Sequence, residues 1–105
     1  MTTEIVVKFQ FEGVHSWPEC PHEDVAFLRV PHRHVFHVTA TAKEEESREI
    51  EIIRFKRQME CWTARYLTGP HKFSCEDMAK RLIDAFNLSS CTVLEDNENG
   101  AIVRV

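Results

Sequence analysis

Two stretches near the start of the chain alternate apolar and polar residues, which is the period of a half-buried β-strand. The first predicted strand runs from about Glu4 towards Val14, and one of its faces carries Ile5, Val7, Phe9 and Phe11. The second runs from Ala26 to Lys43, and its even-numbered face carries Phe36, Val38, Ala40 and Ala42. A third strand of mixed character is predicted at SREIEIIRF, residues 47–55. The first half of the chain is thus predicted to be mainly β-structure.

The hydrophobic period then changes to that of a helix. A stripe at i, i+4, i+7 and i+11 predicts a helix that ends near TGP, residues 68–70, and it consists of Phe55, Met59, Trp62 and Tyr66. Ser74 is a suitable N-cap for a second helix, with Asp77 at N3. That helix ends near Asn87, and its apolar face carries Met78, Leu82, Ala85 and Phe86. The segment CTVLEDNENGAIVRV, residues 91–105, predicts a hairpin that turns at Asn99-Gly100.

Strands that follow strands and helices that follow helices are typical of an α+β fold. With 105 residues and no linker-like segment, we expect a single domain, residues 1–105, in which the helices cover one face of an antiparallel sheet.

Composition and charge argue against some classes of partner. The net charge is −4 and the 13 Lys and Arg are scattered, which argues against a phosphate-binding surface and so against a nucleic-acid partner. The beginning of the chain lacks the basic pattern of a signal peptide, and charges interrupt every apolar run before it reaches spanning length. We therefore predict a soluble, cytoplasmic protein with no membrane partner.

The four cysteines have no CxxC spacing, so neither a zinc ribbon nor a thioredoxin-type pair is indicated. We expect most of them to be reduced and to pack as small buried hydrophobic side chains. Cys20 lies in the loop-like SWPECPHED, residues 16–24, where the pattern does not fix its environment.

Histidines form the most distinctive pattern. His32 and His34 leave the same face of the second strand about 6 to 7 Å apart, so they can bind one ion. His15 shares the face of the apolar stripe on the first strand, where antiparallel pairing would bring it to the other two. Three neutral imidazoles with an open position suit Zn²⁺. Taken alone, the His-x-His pattern is more typical of a solvated or hydrogen-bonded strand than of a metal site. His37 falls on the opposite face and His22 in a loop.

Several segments, in order along nearly the whole chain, resemble the 6-pyruvoyl-tetrahydropterin synthase and 6-carboxytetrahydropterin synthase family. FEGVH followed by PHRHVFHVTA resembles the family's F-x-x-x-H and H-G-H-x-Y-x-V arrangement. The other similar segments are REIEIIRFKRQM, FSCEDMAKRLIDAF and CTVLED.

This resemblance implies the tunnelling fold, in which ββααββ subunits assemble into a trimer or a stacked pair of trimers. It implies a zinc ion held by His15, His32 and His34. It also implies a pterin-like or purine-like ring anchored by Glu95, whose carboxylate can accept two parallel hydrogen bonds from such a ring. Synthase or lyase chemistry on a substrate like dihydroneopterin triphosphate would follow.

The sequence differs from the family's pattern at the residues that transfer protons in the family. Leu28 and Ala26 stand where the family has a catalytic cysteine; Cys20 is an alternative, as are the loop acids Glu23 and Asp24. His71 matches the family's catalytic histidine, but Pro70 replaces the carboxylate beside it. Arg33 replaces the glycine of the H-G-H motif, and Arg54 replaces another family aspartate. We therefore expect binding of metal and ring to be better preserved than turnover, with a non-catalytic ligand-binding or structural oligomeric module as the alternative.

Overall fold

Two long strands, β1 (Thr3–His15) and β2 (His32–Glu44), pair antiparallel along their whole length in the computed structural model, which describes residues 1–105. Strand β3 (Ser90–Glu95) pairs with β2, and β4 (Asn99–Arg104) pairs with β3. The sheet order is therefore β1-β2-β3-β4, and all neighbours are antiparallel. Helices α1 (Ile52–Tyr66) and α2 (Cys75–Phe86) lie between β2 and β3 in the chain. A 3-10 segment, Glu23–Arg29, lies between β1 and β2. The two helices and the four-stranded antiparallel sheet confirm the predicted α+β class.

The core lies between one face of the sheet and the two helices. The predicted inner positions of the two long strands are confirmed, since the buried residues include Val7, Phe9, Phe36, Val38, Ala40 and Ala42. The helices contribute Met59, Met78 and Leu82, all with no exposed surface. Burying one such side chain contributes about 1.5 to 3 kcal/mol to folding. The prediction that Ala85 belongs to the buried face of α2 is wrong. Ala85 is exposed, because that face is centred on Met78, Ala79 and Leu82.

The end of β1 is held by the loop that follows α1. The N–H of Val14 donates to the Thr68 carbonyl (2.9 Å), and the N–H of His71 donates to the Val14 carbonyl (3.2 Å). Gly69 has a φ of +83°, and a Cβ there would collide with the carbonyl oxygen of Val14. Glycine thus allows this loop to lie against the strand, and the loop fixes the position of the next residue, His15.

The predicted start of α2 is confirmed in detail. The N–H of Asp77 donates to Ser74 Oγ (3.0 Å), and the N–H of Ser74 donates to the Asp77 carboxylate (3.3 Å). This capping box satisfies two N–H groups that a helix start would otherwise leave without partners. Asn87 ends the helix in the left-handed conformation, with a φ of 53°.

The predicted third strand, residues 47–55, is wrong. Residues 52–55 form the first turn of α1, and the preceding residues form a turn. Acidic side chains stabilise this arrangement: Glu51 accepts the N–H of Arg54 (2.7 Å), and Glu49 accepts the N–H groups of Glu45 and Glu46. The short apolar run there fits a strand or the start of a helix equally well, and these side-chain hydrogen bonds favour the helix.

The second strand begins later than predicted, at His32 rather than Ala26. The residues before it fold into the 3-10 segment because Arg29 binds back onto the loop. Its guanidinium donates to the Cys20 carbonyl (2.9 Å) and to the Glu23 carboxylate (2.7 Å). Pro31 then separates this segment from β2.

The hairpin is confirmed, but its turn is not at Asn99-Gly100. Glu95 pairs with Asn99, so the turn consists of residues 96–98 and the Asn-Gly pair belongs to β4. Asp96 and Asn97 adopt positive φ values of 52° and 59°, which these residue types tolerate better than most. None of the helices is long and apolar enough to cross a membrane.

The fold predicts very different reactivity for the four thiols. Cys61 is exposed on α1, whereas Cys20, Cys75 and Cys91 are buried. Burial raises the pKa of the Cys91 thiol to about 12. Because the thiolate is the reactive form, we expect a disulfide reagent at pH 8 to label one thiol rapidly and the others only on unfolding. The Cys61→Ser variant should lose the rapid phase; two or more rapid thiols in the unsubstituted protein would contradict the packing described above.

Candidate metal centre

The β1–β2 register brings three histidines together at one end of the sheet. His15 is directly opposite His32, and His34 is opposite Gly13. All three side chains leave the face that the helices cover. Their ring centroids are 4.6 Å apart for His15 and His32, 5.0 Å for His32 and His34, and 5.4 Å for His15 and His34. The predicted convergence of the three histidines is therefore present in the fold.

Each imidazole is held by an oxygen atom at its Nδ1. His15 Nδ1 lies 2.8 Å from the Phe73 carbonyl, and His32 Nδ1 lies 2.8 Å from the Val30 carbonyl. His34 Nδ1 lies 2.7 Å from Asp96 Oδ2. Carbonyl and carboxylate oxygens only accept, so each Nδ1 carries the proton and each neutral ring presents the lone pair of Nε2. Histidines that bind metals are usually oriented in this way by a second group.

The three Nε2 atoms are buried and have no hydrogen-bond partner. A buried polar atom without a partner costs about 1 to 3 kcal/mol. Glu95 Oε2 lies beside them, 3.0 Å from Nε2 of His15 and 3.6 Å from Nε2 of His34. The His15–Glu95 approach is thus a close contact between ionisable groups without the direction of a hydrogen bond. Ligand atoms from these four residues all lie within 4.8 Å of one another, an arrangement that could hold a metal ion.

The electrostatics of the cluster favour a negative charge on Glu95. The contact with His15 lowers the pKa of the Glu95 carboxyl, although burial opposes the shift. Burial disfavours the charged form of His15, but Glu95 and the Phe73 carbonyl outweigh it and raise its pKa. A proton on His15 would compete with a metal ion, so affinity for metal should fall as the pH drops through this raised pKa.

A cleft of about 600 Å³ opens beside the cluster. His15, His32 and Glu95 line it on the side of the sheet. Its other walls come from the loop after β1, the start of α2 and the start of β4, and they include Trp17, Leu28, Lys72, Cys75 and Asn99. The volume lies within the range of about 300 to 1,000 Å³ that is typical of small-molecule sites.

His71, predicted as a catalytic residue, lies outside this cleft. Its ring centroid is 6.1 Å from that of His15. Nε2 donates to the Leu67 carbonyl (2.9 Å), while Nδ1 accepts the N–H of Phe73 (3.1 Å). Burial lowers the pKa of His71, which keeps the ring neutral. Both ring nitrogens thus hold the backbone of the loop, and the geometry lends no support to a role in proton transfer.

Cys20, the other predicted catalytic residue, is also outside the cleft. It is only 3 % exposed, and its Sγ faces the His22 carbonyl at 3.9 Å. Glu23, weighed as an alternative, is paired with Arg29 at the surface. The thiol that does line the cleft is Cys75, and burial, together with Glu95 and Glu76, raises its pKa to about 12. This thiol is therefore protonated at neutral pH.

The remaining histidines fall where the strand pattern predicts. His37 is opposite Gln10 and Leu94 on the other face of the sheet, and His22 is exposed in the loop. Sequence reasoning missed the groups that orient the three rings. Asp96 could have been considered because it follows Glu95 directly, but the carbonyls of Val30 and Phe73 have no signal in the sequence.

Comparisons with known proteins do not add to this picture, since no protein-family model and no curated protein matches the chain.

Asp96 is expected to affect metal binding at the candidate centre through His34. In the Asp96→Asn variant the charged acceptor at Nδ1 is lost, so His34 becomes a weaker and less well oriented ligand. We expect the affinity for a divalent metal ion to fall by a factor of about 10 to 100, as for other groups that orient metal-binding histidines. Competition with a chromophoric chelator would measure it. Glu98→Gln changes an exposed carboxylate in the same turn and should leave the affinity unchanged; an equal loss in both variants would refute a specific role for Asp96.

Proposed function

We propose that this protein binds zinc through His15, His32 and His34 and binds a planar, nitrogen-rich ring in the adjoining cleft. The observation that carries the proposal is the convergence of three buried Nε2 atoms that have no hydrogen-bond partner. Histidines repeated along a strand need not have a binding role. Here, however, each of the three rings is held by a hydrogen bond at Nδ1, which leaves the lone pair of Nε2 free, so the three rings form a preorganised ligand set.

Zinc is the metal that this donor set fits best. Imidazole nitrogens with a carboxylate nearby are typical zinc ligands, whereas magnesium and calcium prefer sites made of oxygens. No thiol belongs to the cluster, so an iron–sulfur centre is not favoured. When bound, zinc would supply Lewis acidity towards a carbonyl or hydroxyl oxygen in the cleft.

The cleft has features that suit a pterin-like or purine-like ring. Glu95 lines it with an ionised carboxylate, which can accept hydrogen bonds from the N–H groups of such a ring. Trp17 and Leu28 offer apolar surface to the ring faces, and Lys72 could pair with an anionic substituent. These features support the resemblance to the pterin synthase family, in which Glu95 matches the residue that anchors the ring.

The sequence of elements supports a tunnelling fold, because two strands, two helices and two strands follow in that order around the 3-10 segment. The outer edges of β1 and β4 lie at the two sides of the sheet, where strands from other copies could pair. We propose that such pairing gives a homo-oligomer, a trimer or a hexamer.

Turnover is proposed to be reduced or altered. Leu28 lines the cleft where the resemblance expects a cysteine, both nitrogens of His71 are engaged, and the thiol of Cys75 is protonated. The loss of a general acid or base typically costs a factor of about 100 to 10,000 in rate. These observations favour a ligand-binding module as the second candidate; a purely structural oligomer would bind neither metal nor ring.

Metal content tests the first half of the proposal. We expect about one zinc ion per chain in the purified protein by elemental analysis. His32→Ala should sharply lower that content, because a protein ligand is lost. His37→Ala is the matched control, since His37 lies on the same strand and on the opposite face. Full retention of zinc in His32→Ala, or equal loss in both variants, would end the three-histidine proposal.

Ring binding tests the second half. Pterin or guanine should bind, and quenching of Trp17 fluorescence should report it. In the zinc-free protein, Glu95→Gln should weaken ring binding by about 1.5 to 3 kcal/mol, because a charged acceptor becomes a neutral amide whose N–H₂ faces ring donors. Glu19→Gln removes a carboxylate from elsewhere in the same cleft and should have a smaller effect. Absence of ring binding in both the zinc-loaded and the zinc-free protein would refute this half of the proposal.

A further inference from the structure

We propose that Glu95 is the fourth protein ligand of the metal centre, so that Oε2 closes a site made of three imidazoles and one carboxylate. This inference rests on the metal half of the proposed function. It differs from the proposed function in one respect. Three histidines alone would leave a coordination position open to water or substrate, whereas here the protein fills that position.

The distances fit four-coordinate zinc. Bonds of about 2.0 to 2.1 Å in a tetrahedral site place neighbouring ligand atoms about 3.3 to 3.4 Å apart. Glu95 Oε2 is 3.0 Å from Nε2 of His15 and 3.6 Å from Nε2 of His34, on either side of that value. No two ligand atoms of the set are more than 4.8 Å apart, so all four are close enough to approach one ion.

The contact between Glu95 and His15 itself calls for a cation. The Nδ1 proton of His15 is committed to the Phe73 carbonyl, so Nε2 of the neutral ring is an acceptor. A carboxylate oxygen is also an acceptor, and two acceptors 3.0 Å apart repel each other unless a positive charge lies between them. A single proton could relieve the repulsion between Glu95 and His15, but it would leave the other two Nε2 atoms without partners. A metal ion at the centre relieves it and also gives partners to the Nε2 atoms of His32 and His34.

Backbone position makes Glu95 a durable ligand. It is the last residue of β3 and pairs with Phe36 of β2, two residues beyond His34 on the same face of the sheet. Asp96 follows it, accepts the N–H of Val35 (3.0 Å) and contacts His34, which ties the end of β3 to the strand that carries two of the histidines. The four ligands therefore come from three adjacent strands whose hydrogen bonds fix their spacing.

A consequence is that metal and ring compete for one carboxylate. With Oε2 on the metal, Glu95 cannot offer two oxygens to a ring. Zinc should then weaken ring binding, and by linkage the ring should weaken zinc binding by the same factor.

The test uses the full chain loaded with Co²⁺, whose visible absorption reports coordination, and azide as the added ligand. The unsubstituted protein should show a tetrahedral spectrum that azide at millimolar concentration leaves unchanged. Glu95→Ala should leave a coordination position for water, so that azide shifts the spectrum. This variant should also bind Co²⁺ more than about 100-fold more weakly, a larger loss than that expected for a group such as Asp96 that only orients a histidine ligand. Glu95→Gln, which keeps the side-chain volume, should lie between the two.

Glu98→Ala is the matched control, because it removes an exposed carboxylate close by in the same hairpin and should behave as the unsubstituted protein. Far-ultraviolet circular dichroism of each variant verifies that it is folded. The inference is overturned if azide shifts the spectrum of the unsubstituted protein, or if Glu95→Ala binds Co²⁺ as tightly as that protein does. Failure of the unsubstituted protein to bind either Co²⁺ or Zn²⁺ would overturn the proposed metal function together with this inference, whereas loss of metal in His32→Ala with full retention in Glu95→Ala would overturn the inference alone.

Discussion

The antiparallel register between β1 and β2 is the constraint on which the candidate site depends. It pairs 13 residues of each strand and places His15 directly opposite His32. A slip of one residue would move every side chain of one strand to the other face, which would expose Phe9 or Phe36 and separate the histidines at the same time. The apolar core and the candidate metal centre therefore depend on the same register: the free energy of burying the inner face also holds the three histidines in position.

The histidines occupy positions where apolar side chains would stabilise the fold more. His15 is 8 % exposed and continues the inner stripe of β1, and its neighbours His32 and His34 leave their Nε2 atoms buried without partners. A fold of this size has little stability to spare for three such atoms. A metal cation would attract all of these lone pairs at once. The arrangement is thus costly as pure structure and reasonable as a binding site.

The part of the site that could be predicted from sequence depended on side-chain parity. Period 2 placed His15, His32 and His34 on the inner face, because a strand with one buried face leaves no choice of direction for its residues. Glu95 came from resemblance alone. Asp96 and the carbonyls of Val30 and Phe73 escaped prediction because they act through tertiary proximity, and backbone oxygens are common to every residue.

The failures in the fold have a similar origin. Residues 47–55 contain an apolar run too short to distinguish a strand from a helix start. The hydrogen bonds of Glu49 within the preceding turn and the N-cap bond of Glu51 favour the helix. The Asn99-Gly100 pair has strong turn propensity, but Asp96 and Asn97 also tolerate positive φ and lie where pairing with Glu95 ends. In both cases several local solutions were compatible with the pattern, and the hydrogen bonds of neighbouring residues selected one.

A four-ligand centre would give the metal a structural as well as a chemical role. Its ligands come from β1, β2 and β3, at the end of the sheet where the 3-10 segment and the loop after α1 converge. An ion bound only by the folded chain stabilises it by RT ln(1 + [L]/Kd), about 4 kcal/mol when the free ion exceeds its Kd a thousandfold. Two residues that could have moved protons are engaged otherwise, since His71 supports the backbone and the thiol of Cys75 is protonated. If Glu95 also binds the ion, the ion retains no open coordination position, so chemistry there would require an incoming ligand to displace that carboxylate first.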